Sequence, residues 1–234
     1  AVRREEDARK AKDLLLIALP AGIQFAVISV GIMAVMSQVN AFGTTYMAGF
    51  NVGSKLDSVA FLPIQSIAFA GTTFVGQNFG AKKYRRIYEG FKVCMSISLI
   101  TYIVFGAVMI FCPRFLASLM LNGDQQIELA MGYLVRSGLM KFAVDFLFVV
   151  RSGCQGMGKP LFPMISGALE MIMRVVVIVT CTERFGFAAT SYAEIAAWIA
   201  ALIINGIAFA VFLNGYLEKE NTDKFAFRKA LRRA

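Results

Sequence analysis

The chain contains no histidine. That absence removes imidazole acid–base catalysis, Ser/His and Cys/His nucleophile pairs, and histidine-ligated metal sites, the commonest tools of an enzyme. Its four cysteines, Cys94, Cys112, Cys154 and Cys181, form no CxxC pair. Each falls in or at the end of an apolar block, where a thiol behaves as a small hydrophobe. Charge is scarce as well. Only 17% of residues are Asp, Glu, Lys or Arg, and 58% are hydrophobic, against roughly a quarter charged and 45–50% apolar in a soluble domain. There is too little polar surface to coat a water-soluble globule of 234 residues. No P-loop, dinucleotide fingerprint or zinc spacing is present, and the Gly156/Gly158 pair lacks the following strand that a phosphate loop needs. No enzymatic activity and no cofactor are expected.

What is present is long apolar blocks, at a mean hydropathy of +0.64. A helix needs about 20 apolar residues to cross the hydrocarbon core. Six blocks reach that length, at about Leu14–Val39, Gly53–Gly76, Phe91–Cys112, Glu128–Val150, Leu161–Cys181 and Tyr192–Tyr216. The predicted fold is all-α, a polytopic bundle of six transmembrane helices over 14–216. Residues 1–13 form a charged lead-in and 217–234 a basic tail. The tail reads as either a short amphipathic helix carrying Phe225 and Phe227 or a disordered segment. The first residue is Ala1, which is expected of a fragment or a processed chain.

The net charge is +9. The basic residues lie between and beyond the blocks, where they meet anionic headgroups rather than nucleic acid. Arg3, Arg4, Arg9, Lys10 and Lys12 precede the first block, and Lys82, Lys83, Arg85 and Arg86 follow the second. Arg151 and Lys159 follow the fourth, and Lys219, Lys224, Arg228, Lys229, Arg232 and Arg233 close the chain. The alternate connections hold only Arg114 and Arg184, with Lys55 near one mouth. By the positive-inside rule both termini are cytoplasmic, in a multi-pass protein of the plasma (inner) membrane.

Charge within the spans is the most informative signal, because an ionised group at mid-helix costs about 2.5–3.5 kcal/mol on insertion scales. Asp57 lies near the outer end of the second span. It is either an interfacial carboxylate beside Lys55 or a cation- or proton-binding group. Lys141 and Asp145 are four apart and share a helix face. They are either a self-neutralised pair or a coupling-ion site, with Na⁺ possible at Asp145. Glu170 and Arg174, also four apart, are either a packing lock or a gate. Arg151 is expected to snorkel to the headgroups. Gln24, Gln38, Asn40 and Gln65 are candidates to line a polar path. Pro20 and Pro63 fall inside the first two spans, as tolerated bends or as hinges.

The stretch AGFNVGSKLDSVAFLPIQSIAFAGTTFVGQNFGAKKYRRIYEG resembles the MATE family of multidrug and toxic compound extrusion transporters. It carries Pro63, then Gly76, Gln77, Asn78, Gly80 and Ala81, then the cluster Lys82 to Arg86. RSGCQGMGKPLFPMISGALEMIMRV is similar to the family's second recurrent stretch, with Gln155, Gly156, Gly158, Pro163, Glu170 and Arg174 in place. DLLLIALPAGIQ resembles the first helix of a MATE lobe, with Pro20 in place. The resemblance runs from about Leu14 to Gly215. It implies the second six-helix lobe of a two-lobe, twelve-helix transporter, with 1–13 as the inter-lobe connection and an N-terminal lobe as partner. It also implies export of small organic cations in exchange for H⁺ or Na⁺, with membrane carboxylates as exchange sites and lipids as neighbours. The Na⁺-coupled branch often has acids in the first and fourth helices of this lobe. Asp145 is a rough match for the latter, and the first helix here has no acid. Two alternatives carry different chemistry: a lipid-linked oligosaccharide flippase, which needs a cationic cavity, and a membrane structural subunit without transport.

Overall fold

The structure is a computed structural model that describes residues 2–231, with side chains described for 11–221 except residue 13. The chain forms α1 (Val2–Ala41), α2 (Thr44–Gly80), α3 (Tyr84–Phe111), α4 (Pro113–Ser118), α5 (Asp124–Gly156), α6 (Leu161–Phe185) and α7 (Ala189–Leu231). A 3-10 turn, Gly186–Ala188, joins the last two. The shortest long helix, α6, has 25 residues. At 1.5 Å per residue that is roughly 38 Å, more than the roughly 30 Å of a hydrocarbon core.

Four stretches are long and apolar enough to cross a membrane by length and composition: Leu14–Ala41, Thr44–Gly80, Tyr84–Phe111 and Leu161–Asn221. The last takes in α6 and most of α7, so these account for five crossings. α5 is too rich in charge to qualify by composition, since it carries Arg136, Lys141, Asp145 and Arg151. It is nonetheless the central helix, packed against α2, α3 and α7, and completes the six.

The outward faces are apolar. Phe111, Phe69 and Val179 are each more than 70% exposed, as lipid-facing side chains must be in a bundle whose solvent is hydrocarbon. Inside, small residues let helices approach. A Cβ on Gly53 of α2 would stand 2.9 Å from the Tyr133 ring of α5. At the other end of the same pair, a Cβ on Gly156 would stand 2.7 Å from Val75 Cβ.

The two turns that follow α2 and α5 are built alike. After α5, Gly158 N–H donates to Gln155 O and Lys159 N–H to Cys154 O, with Gly158 at φ 70°. After α2, Lys82 N–H donates to Phe79 O and Lys83 N–H to Asn78 O, with Lys82 at φ 56°. Both are Schellman caps, which satisfy orphan helix carbonyls through one left-handed residue. The GQN stretch is therefore the last turn of α2, where Asn78 Nδ2 donates to Phe74 O.

The lead-in is helical from Val2 and continuous with the first span. The tail is neither a separate interfacial helix nor disordered up to Leu231, because α7 continues through it without a break. The side chains of Arg3, Arg4, Arg9, Lys10, Lys224, Phe225, Phe227, Arg228 and Lys229 lie outside the described residues, as do Arg232 and Arg233 altogether. Pro20 and Pro63 sit inside continuous helices.

Candidate functional site

α1 packs on α6 and α2 packs on α5, and α1 and α2 touch each other little. The space between them is a cavity of about 390 Å³, floored by α5, α6 and α7. That is within the range of small-molecule sites, roughly 300–1,000 Å³. Its apolar wall includes Phe25, Phe61, Tyr133, Phe148 and Trp198. Its charged wall is Asp57, Arg151, Glu170, Arg174 and Glu194, three carboxylates against two guanidiniums.

Two charge clusters supply this wall. In the first, Lys141 Nζ lies 3.4 Å from Asp145 Oδ1 and 3.9 Å from Asp57 Oδ1. All three residues are buried, Lys141 and Asp145 completely. Nζ also sits 3.9 Å from the centroid of the Phe61 ring. Of the three residues only Asp57 opens on the cavity.

The second cluster is a ladder across three helices. Arg151 Nη2 of α5 bonds Glu170 Oε1 of α6. Glu170 Oε2 faces Arg174 Nη1 at 3.6 Å. Arg174 in turn donates through Nε at 3.0 Å and Nη2 at 2.8 Å to Glu194 Oε2 of α7. Gln24 of α1 closes the near end. With its amide turned so that Oε1 faces the guanidinium, it accepts from Arg151 Nε at 3.1 Å and Nη1 at 3.3 Å. The ladder alternates in sign, so charges that would each be costly in a low-dielectric interior neutralise one another.

The sequence paired Lys141 with Asp145 and Glu170 with Arg174, and the structure has both contacts. It did not anticipate that a second helix joins each pair. Asp57 does not lie in interfacial water beside Lys55: it is buried and faces Lys141, whereas Lys55 is exposed. Arg151 does not snorkel, because it is buried against Glu170 and Gln24. Gln65 lines the cavity. Gln38, half-buried, and Asn40, exposed, are not part of its wall. Glu194 went unremarked in the sequence. It lies two residues beyond Tyr192 at the start of the last span, and an acid so near a span's end reads as interfacial.

The MatE sequence profile matches residues 20–180, well over half of the chain. The chain belongs to the MatE family. A relative at 38% identity over 74 residues is the probable multidrug resistance protein YpnP of Bacillus subtilis, where the match spans 32% of this chain and 17% of that one. At 25% identity over 154 residues, the probable multidrug resistance protein NorM of Thermotoga maritima matches 66% of this chain and 33% of its own length. The fold matches the Vibrio cholerae MATE transporter VcmN in its bent form with a TM-score of 0.82 at 17% identity, over 89% of this chain and 48% of VcmN. A MOP superfamily transporter from Pyrococcus furiosus, whose binding pocket has a reverse polarity suggesting a different function, matches with a TM-score of 0.77 at 18% identity, over 82% of this chain and 43% of its own. The chain thus spans about half the length of the solved transporters and a third or less of the curated relatives it matches. It is a multi-pass membrane protein of this family.

Proposed function

We propose that the chain is one six-helix lobe of a secondary active multidrug efflux transporter that exports organic cations in exchange for H⁺ or Na⁺. The cavity wall carries this reading. Three carboxylates outnumber two guanidiniums there, beside Phe61, Tyr133 and Trp198, whose ring faces attract cations. An organic cation in that cavity and an ion on Asp57 would compete for the same negative charge, which is how one expels the other. The missing half of the substrate path would be supplied by a second lobe facing α1 and α2. The basic ends of α1 and α7 would place both termini in the cytoplasm.

Ethidium efflux from cells expressing the two-lobe protein tests this, with Na⁺ varied and with a proton uncoupler present or absent. Efflux that collapses with one ion gradient supports the antiporter. Efflux unchanged in Asp57→Asn, Asp145→Asn and Glu170→Gln would sink it.

The flippase reading draws on Arg151 and Arg174, both in the cavity wall. An anionic lipid-linked sugar would need guanidiniums free to bind phosphate, and here each already faces a glutamate. Accumulation of lipid-linked sugars in a deletion strain, with no loss of cation efflux, would favour that reading. A structural subunit predicts instead that these charges can be replaced by apolar residues at no cost to the cell.

A further inference from the structure

Lys141 projects between carboxylates from two helices. Its Nζ has Asp145 Oδ1 of α5 at 3.4 Å, Asp57 Oδ1 of α2 at 3.9 Å and the Phe61 ring centroid at 3.9 Å. Two anionic oxygens and an aromatic face, around a point closed to solvent, make a niche for one small monovalent cation. The niche is filled by an ammonium that is part of the chain and cannot leave it.

The contacts around that ammonium are loose. Nζ stands 3.4 Å from Asp145 and 3.9 Å from Asp57, and neither Asp145 oxygen, nor Asp57 Oδ1, nor Nζ has a well-aligned hydrogen bond among the described residues. A pair evolved only to lock helices would be expected to use those lone pairs and donors, as Arg174 and Glu194 do at 2.8 Å and 3.0 Å. The acids here keep coordinating capacity that the lysine does not consume, while its charge occupies the point where a metal ion would sit. Besides Lys141, the charges facing Asp57 are Asp145, across the ammonium, and Glu194 of α7, which Arg174 holds.

We infer that Lys141 is a built-in cation that takes the place of a monovalent metal ion between Asp57 and Asp145 and so keeps Na⁺ out of this lobe. The inference rests on reading these carboxylates as an ion-coupling site, and it narrows the ion that can act there to the proton. Na⁺ close enough to touch both acids would also sit against the ammonium, and like charges at that range repel strongly where water is excluded. Removing the ammonium leaves two buried acids facing an empty niche, and Na⁺ becomes the obvious counter-charge.

The test is binding of radiolabelled Na⁺ to the purified full chain in lipid nanodiscs. Wild type and Lys141→Arg are expected to retain background Na⁺. Lys141→Met and Lys141→Gln should retain at least about tenfold more at the same concentration, and adding Asp145→Asn should return Lys141→Met to background. Na⁺ retained by wild type at the level of Lys141→Met would overturn the inference. So would background binding by folded Lys141→Met and Lys141→Gln. Should neither neutral variant fold, wild type alone decides. A Na⁺-dependent rise in its melting temperature that Asp145→Asn abolishes refutes the built-in cation, and no such rise upholds it. Because the readout needs no transport, a protein that exports no organic cation would end the efflux reading and leave this result intact.

Discussion

Glu170 of α6 gives one carboxylate oxygen to Arg151 of α5 and the other to Arg174 of its own helix. The two helices otherwise have little contact with each other, so this residue is the electrostatic bridge between the half of the bundle built on α5 and the half built on α1 and α6.

Glu170→Gln removes the charge that both guanidiniums share. Breaking one side of a buried ionic network costs about 3–5 kcal/mol, because the remaining charges lose their partner. Thermal unfolding in detergent should show a clear fall in midpoint. The compensated change, Arg151→Met with Glu170→Leu, should restore much of it, since Arg174 keeps Glu194. A double variant no more stable than Glu170→Gln would show that the contact is not the source of the loss.

Arg174→Lys should behave as a severe change despite keeping the charge. The guanidinium uses Nε and Nη2 on Glu194 while Nη1 faces Glu170, and an ammonium lacks that fork geometry. Ethidium efflux is expected to fall about tenfold or more, with expression retained. Efflux equal to wild type would remove the ladder from the transport mechanism.

Gly53→Val should separate α2 from α5. The Tyr133 ring leaves no room for a Cβ at 2.9 Å, and overpacking of this kind costs about 1–3 kcal/mol. Gly22→Ala is the control. Nothing lies within 4 Å of a Cβ there, and alanine favours the helix by about 0.5–1 kcal/mol. Melting temperatures should move in opposite directions.

Lys82 and Gly158 occupy the same left-handed position in two matching caps. Lysine there carries a backbone penalty of roughly 1–2 kcal/mol that glycine does not. Lys82→Gly is expected to raise the unfolding midpoint and Gly158→Ala to lower it. Equal effects of the same sign would mean that the caps do not control these helix ends.

Five crossings were readable because hydrocarbon demands long apolar runs, and the sixth, α5, from the length of its block despite Arg136, Lys141 and Asp145. The i,i+4 pairs were readable for a similar reason, since a helix fixes which side chains share a face. What could not be read was which helix faces which. Asp57 meets Lys141 only because α2 packs on α5, and Glu194 meets Arg174 only because α7 packs on α6. No local period encodes either contact. Arg151 was misjudged because its distance from the span's end allowed snorkelling, and the partner that holds it inward lies nineteen residues on.

The close approaches at Gly53 and at Gly156 lie on either side of Asp57 and Lys141 along the α2–α5 seam. A seam fastened at two points cannot slide, because sliding would drive Tyr133 or Val75 into backbone. With the register fixed, the distance between Asp57 and Lys141 changes by rotation of the two side chains or by a bend in α2. Pro63 lies in that interval, six residues past Asp57, and its missing N–H leaves one backbone bond fewer to resist. Pro63 thus gives α2 a soft point within two turns of the acid that faces the ammonium.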